Sequence, residues 1–342
     1  MAKSVKLADI AEKLGVSTVT VSKALSNQKG VSESMRLRIK QLADELGYVS
    51  PSAAKLKPEE KSYNIGVIVA ERYFDQTQSF YWSMYQEVTT CALSRNSFTM
   101  LEVVNEQDED DCAIPKLIEG GRINGIIIIG IMNRDYLEMI SKNTELPVVY
   151  LDFYESNAKC DSVVSDSYFG MYHMTEYLCR MGHRKIAFVG TLFATNSITD
   201  RYFGYCKALM ENGIELRKDY VIDDRFLDTG SRMGYKIKLP KDMPTAFACN
   251  CDVTALELIE LLEKEGYKVP EDISVVGFDN YAFSNINNIE LTTYAVDVRG
   301  MAKRAVKNLI KKMAGDRAVR GTSVVEGKMI SGKTVQLLAK IN

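Results

Sequence analysis

The chain has 342 residues, of which 46% are apolar and 26% charged, and its formal net charge is −2. Single cores usually stop growing near 250–300 residues, so this length predicts two or more domains of ordinary soluble composition. Charge is unevenly spread. Residues 1–57 hold ten Lys/Arg against five Asp/Glu, a balance of +5 that leaves −7 on the remainder. A small basic module on an acidic body predicts phosphate contact confined to one end of the chain.

Seven cysteines without a CxxC pair, and only two histidines without zinc spacing, predict neither a disulfide framework nor a metal site. The first residues, MAKSVKLADIAEKLG, lack the apolar run of a signal peptide. The longest apolar run, Ile126 to Ile129, is far too short to span a bilayer. The expectation is therefore a cytoplasmic protein with no membrane segment, no metal and no cofactor.

In chain order, three short helices fit residues 1–47. Leu7, Ile10, Ala11 and Leu14 form one apolar stripe, and Gly15 stops that helix. Ser17 can cap a second helix, in which Val21, Ala24 and Leu25 face inward and Thr18, Val19, Ser22 and Lys23 face outward. Ser32 can cap a third, with Met35, Ile39, Leu42, Ala43 and Leu46 as its buried stripe. Residues 48–62 carry two prolines and many charges and read as a linker, with a short helical turn at Ser52–Leu56.

Beyond Tyr63, apolar runs alternate with helical stretches. The runs are Ile65–Ala70, Phe98–Val104, Gly125–Ile129, Val148–Leu151, Val163–Val164, Ile186–Gly190, Tyr220–Ile222, Ala246–Cys249 and Ser274–Phe278. Such runs suit strands covered on both faces, and the alternation predicts two doubly wound parallel-sheet subdomains.

Val5–Leu25 has the layout of a helix-turn-helix. Ala11 permits close packing of the second helix, and the outward side chains near the start of that helix suit base edges in a major groove. Thr18 and Val19 can touch a thymine methyl, Ser22 and Thr18 can hydrogen-bond a base, and Lys23 can donate to guanine. Lys6, Ser17 and Ser32 fit phosphate contacts. The blander reading is a three-helix protein-contact module with Lys23 merely solvated; the basic balance and the linker weigh against it.

These residues carry a resemblance. LADIAEKLGVSTVTVSKAL resembles the headpiece of the lactose-repressor-type (LacI/GalR) family of bacterial regulators. GHRKIAFVG (Gly182–Gly190), Arg201–Gly204, PTAFACNCDVTAL (Pro244–Leu256), VPEDISVVGFDN (Val269–Asn280) and LTTY from Leu291 follow in the family's order. The resemblance implies an all-α helix-turn-helix headpiece on a periplasmic-binding-protein-like core. It implies residues 1–48 as headpiece, 49–62 as linker or hinge, and 63–342 as the effector-binding and dimerisation core. Within the core, one subdomain takes about 63–160 and 295–322, the other about 161–292 and 323–342. The implied protein is a transcription regulator and probable repressor by family habit, not an enzyme. Its implied partners are a double-stranded pseudo-palindromic DNA operator, a second copy of the chain in a dimer or higher oligomer, and a small-molecule effector, a sugar or related metabolite.

Two departures stand out. In the family, a hinge-helix leucine wedges into the minor groove; here Pro51 comes one residue late and Leu56 one early, which leaves open whether a hinge helix forms with Leu56 as its wedge. The residue before Asp252 is often Asn in sugar-responsive members and here is Cys251.

For the effector, ligands between α/β lobes sit at the C-terminal ends of strands. That rule selects Asp75 and Phe80 after the first strand, Asp152 after the fourth, Arg201 after Ile186–Gly190, and Asp279 after Ser274–Phe278. Phe74, Tyr81 and Trp82 add aromatic faces for stacking. The competing readings are an Asp that caps a helix, an Arg201 that only bridges the lobes, and aromatics that pack the core or a dimer. Asp252 and His183 read as structural. The rival function is a solute-binding or sensory module without a DNA role; no nucleotide-loop or nucleophile motif supports an enzyme.

Overall fold

The computed structural model describes residues 6–26, 28–46, 48, 61–74, 79–156, 160–227, 233, 236–281, 289–316 and 318–338. Leu56 and Asp75 lie outside them, as does the expected turn at 52–56. The chain divides into two units, Met1–Lys61 and Ser62–Asn342.

The first unit is the expected three-helix module: α1 (Leu7–Leu14), α2 (Thr18–Leu25) and α3 (Glu33–Glu45). Gly15 ends α1 at φ 64°, a left-handed conformation that needs no Cβ relief in glycine. Ile10, Ala11, Val21, Ala24, Ile39 and Ala43 form its buried centre, with Leu7, Leu14, Leu25, Met35, Leu42 and Leu46 packed around them.

The second unit is doubly wound. Its first sheet has six parallel strands in the order β11-β5-β4-β3-β1-β2. These are β1 (Asn64–Ala70), β2 (Phe98–Val104), β3 (Gly125–Ile129), β4 (Val148–Leu151), β5 (Asp161–Ser165) and β11 (Thr322–Val325). Its second sheet is also parallel, in the order β7-β6-β8-β9, from β6 (Ile186–Val189), β7 (Val221–Ile222), β8 (Ala246–Cys249) and β9 (Ser274–Val276). A short antiparallel pair, β10 (Thr293–Ala295) with β12 (Lys328–Ile330), completes the strands.

Alternation along the strands divides the core. Ile65, Val67, Val69, Ile127 and Ile129 pack on one side of the first sheet, with Met84 and Val88 of α4 (Phe80–Leu93) and Met301 and Leu309 of α11 (Val298–Met313). Ile68, Ala70, Ile126 and Ile128 pack on the other, with Tyr136, Leu137 and Ile140 of α7 (Arg134–Asn143). The cluster on the first side runs on without a break into the second lobe through Phe188, Ala246 and Ala248. Each such fully buried large side chain contributes about 1.5–3 kcal/mol.

The chain crosses between lobes three times. β5 and β11 belong to the first sheet, so the first and third crossings come a few residues later than the expected limits of about 160 and 322. Two of the crossings end in capping aspartates. Asp166 accepts from the Phe169 amide at the start of α8 (Ser167–Arg180), and Asp297 accepts from the Gly300 amide at the start of α11. β10, β11 and β12 were not expected. They are only three or four residues long and carry Thr, Ser or Lys, and β11 and β12 are partly exposed, so no apolar run marks them.

Candidate functional site

The headpiece offers one exposed helical face. Ser17 accepts the Thr20 amide at 3.1 Å and so fixes the start of α2. Val21 and Ala24 are buried on the inner face, whereas Thr18, Val19, Ser22 and Lys23 are exposed. Val19 is 59% exposed, an apolar side chain set on the same helical face as Ser22 and Lys23. Lys6 is the exposed N-cap of α1, with its amide donating to Asp9. Ser32 directly precedes α3, its carbonyl accepting from the Arg36 amide. Arg36 was not anticipated. It donates to the carbonyls of Ala24 and Gln28 and ties the end of α2 to α3.

The second group of residues gathers at strand ends between the lobes of the core. Asp152 follows β4 directly at φ 70°, and Asp279 lies beyond β9 at φ 104°. Non-glycine residues held in left-handed conformations concentrate at functional sites. No helix starts at Asp152, since β5 is the next element, which removes the helix-cap reading. Tyr81 of α4 donates to Asp152 at 3.1 Å. Arg201, in α9 (Asn196–Glu211), donates to Asp279 at 3.0 Å and to the Asn250 carbonyl, and its guanidinium lies 3.8 Å over the Phe278 ring. Arg201 is buried, and its Nε has no hydrogen-bond partner among the described residues. Its ion pair is within the second lobe rather than between lobes. Phe80 meets Tyr81 and, from the other side, Tyr281, edge to face at 5.4 and 6.0 Å.

Electrostatics set these carboxyls apart. Burial, together with the nearby Asp279 charge and against the pull of Arg201 and Tyr81, pushes the Asp152 carboxyl up to about 7. Burial likewise raises the Tyr81 phenol well above its ordinary value, with Asp152 adding to it. Asp200 is raised by burial, although Tyr154 donates to it at 3.2 Å from the first lobe. Phe74 and Trp82 pack edge to face at 5.6 Å.

Sequence reasoning missed a network beside this cleft. Asp224 accepts from the Thr191 amide, Asn250, Thr254 and Arg225, while the Thr191 hydroxyl accepts from the amides of Asp224 and Arg225. Burial opposes its charge, but Arg225, Asn250 and the Thr191 amide hold its carboxyl below the usual range. Asp224 and Asn250 follow β7 and β8, so the strand-end rule that selected Asp152 reaches them too. Cys251 precedes α10 (Asp252–Lys264) and lies 3.2 Å from Thr254. Asp252 is buried against the Thr293 hydroxyl, and His183 is buried with Nδ1 3.0 Å from the Thr245 hydroxyl.

Among the described residues no group of three His, Cys, Asp or Glu could hold a metal, and no helix is long and apolar enough to cross a membrane.

Residues 6–51 match the family model for bacterial regulatory proteins of the lacI family, and residues 175–335 match that for a periplasmic binding protein-like domain. The HTH-type transcriptional repressor PurR of Aliivibrio salmonicida (strain LFI1238) is 27% identical over 96% of this chain and 98% of its own length. PurR of Pasteurella multocida (strain Pm70) is 27% identical over 96% and 98%. Among solved structures, the lac repressor dimer bound to operator and the anti-inducer ONPF has a TM-score of 0.66 at 23% identity, covering 98% of this chain and all of that one. A regulator from Enterococcus faecium with bound ribose gives 0.68 at 24% identity, covering 80% and 99%. These relatives are regulators rather than enzymes. The two models match in order along the chain: a DNA-binding region of the lacI family of bacterial regulatory proteins at residues 6–51 and a periplasmic binding protein-like domain at residues 175–335.

Proposed function

We propose that the chain is a ligand-responsive transcriptional repressor that binds a pseudo-palindromic DNA operator as a homodimer. Thr18, Val19, Ser22 and Lys23 read base edges. Lys6, Ser17 and Ser32 contact phosphates, and Leu56 is the linker's minor-groove wedge. The observation that carries this reading is Val19: a thymine methyl gives an exposed valine an apolar partner that water does not. Lys23 and the +5 balance of residues 1–57 supply the salt-dependent attraction to phosphate.

The effector, a sugar or related polar metabolite, sits between the lobes against Phe80, Asp152, Arg201 and Asp279, with Asp75 a further contact on the sequence pattern alone. Ligand donors suit the two carboxylates, an acceptor suits the free Nε of Arg201, and the aromatic edges suit a ring. Cys251 offers no amide there, which favours a ligand unlike the commonest sugars of the family. Exposed Trp82 and Leu93, eleven residues apart on α4 and so on one side of that helix, suit the dimer contact. Ligand binding alters the lobe angle and passes through residues 49–62 to operator affinity, a coupling of about 1–3 kcal/mol.

The test is binding to promoter fragments of the source genome by fluorescence anisotropy across a salt series. Expected are salt-dependent binding, a footprint with dyad symmetry, and loss of both on deleting residues 1–60. A folded dimer that left every fragment unprotected, or that bound equally well after the deletion, would overturn the reading.

A further inference from the structure

Two carboxylates from opposite lobes face one guanidinium in the cleft. Asp152 belongs to the first lobe and takes the Tyr81 hydroxyl. Arg201 belongs to the second, and its hydrogen bonds go to Asp279 and to the Asn250 carbonyl. Arg201 is thus committed within its own lobe and reaches Asp152 only as a charge, with the negative charge of Asp279 beside it. The other ionisable neighbours are occupied. Asp252, which also feels Arg201 and Asp279, takes the Thr293 hydroxyl, and burial drives its carboxyl well up, so it adds no charge to the count. Tyr73 packs on Tyr81 at 4.4 Å and donates to the Ile131 carbonyl. Asp200, on α9, holds Tyr154, and Arg225 is bound to Asp224. The lobes touch at these same places, through Tyr154 on Asp200 and Phe80 on Tyr281.

We propose that Asp152 acts as a proton-operated latch between the lobes: protonated, it lets the cleft close on Asp279 and Arg201, and ionised, it drives the lobes apart. The physical cause is the unequal count of charges. Closing the cleft removes water from two carboxylates that share one guanidinium, which costs free energy unless one of them is neutral. Asp152 is the one that gives way, because Asp279 has the direct ion pair and Asp152 does not.

The sign follows from linkage. The carboxyl sits at about 7 with the lobes in contact through Tyr154 on Asp200 and Phe80 on Tyr281, whereas in an open, hydrated cleft it returns toward its ordinary value. The closed form therefore binds the proton more tightly, and acidification closes the cleft. Between pH 8 and pH 6 the closed-to-open ratio rises about tenfold. The device needs no effector, so its failure and the failure of the proposed ligand reading are separate results.

The test is hydrogen exchange of the full, unliganded chain, followed by mass spectrometry at pH 6 and pH 8 and expressed as protection factors corrected for the intrinsic pH dependence. Peptides covering 148–156, 196–204 and 277–281 are expected to be about tenfold more protected at pH 6. Asp152→Asn, which mimics the protonated form, should show the pH 6 protection at both values. Tyr81→Phe removes a donor to the carboxylate and should move the midpoint to higher pH. Equal protection at both pH values in the native chain would overturn the proposal. So would a pH dependence that survives Asp152→Asn, which would place the titration elsewhere. If Asp152→Asn fails to fold, a Tyr81→Phe midpoint that is unmoved or lowered would overturn it alone.

Discussion

Gly204→Ala tests how the packing of the second lobe sets the cleft. Helices α8 and α9 cross so closely that a Cβ at Gly204 would lie 2.0 Å from the Tyr168 carbonyl oxygen and 2.9 Å from the Tyr172 amide nitrogen. Ordinary carbon-to-oxygen contact needs about 3.3 Å, so the helices must part by about 1 Å. The obstacle is backbone, which cannot rotate away as a side-chain tip can. Overpacking of this kind costs about 3 kcal/mol, and the better helix propensity of alanine returns about 1 kcal/mol. The net loss of about 2 kcal/mol predicts a melting temperature about 4 °C lower in calorimetry of the full chain. Arg201 lies three residues earlier on the same helix, so its bonds to Asp279 and the Asn250 carbonyl shift as well. An unchanged or higher melting temperature would refute the reasoning, because it would mean that the crossing has slack.

Other perturbations separate structure from recognition. Ser17→Ala removes the cap of α2 and should cost the headpiece about 1 kcal/mol, read by denaturant titration of headpiece amide exchange; Ser17→Asp should restore the cap yet weaken DNA binding, because it sets a carboxylate against phosphate. Thr191→Val keeps the shape but strips the acceptor from the Asp224 and Arg225 amides, so chemical denaturation should show a loss of about 2–4 kcal/mol. Asp152→Asn should leave stability unchanged below about pH 3, where the native carboxyl is protonated in folded and unfolded chains alike. It should raise the melting temperature above pH 7, where the native chain must hold an ionised Asp152 that its surroundings disfavour. Parallel melting curves for the two proteins across that range would refute the assignment.

The parts legible in the sequence are those in which one physical rule acts over neighbouring residues. Helical spacing of Leu7, Ile10, Ala11 and Leu14 sufficed for α1, and the continuous Ile126–Ile129 run for a strand covered on both faces, whose alternate side chains then divide between two helical layers. β11 was hidden because Val324 is 58% exposed at the sheet's outer edge, where no apolar run is required. Asp152 and Asp279 were selected by their position after strands, a local signal. The partners of Asp224 were not, since Thr191 and Asn250 lie 33 and 26 residues away, and only the parallel order of β7, β6 and β8 brings them together.

The two polar clusters at the strand ends differ in a way that assigns them different work. Every oxygen of Asp224 is met by donors, its charge is balanced by Arg225, and its carboxyl is held below the usual range. Such a saturated network fixes loop geometry and has no capacity left for a ligand. At Asp152 and Arg201 the opposite holds: a buried Nε lacks a partner among the described residues, a carboxyl is driven to about 7, and the backbone at Asp152 and Asp279 is left-handed without glycine. Each of these conditions lowers the stability of the empty protein by itself. Together, in one cleft lined by Phe80, Tyr81 and Tyr281, they are conditions that a bound molecule or a proton can relieve, and whatever relieves them must favour one lobe arrangement over another.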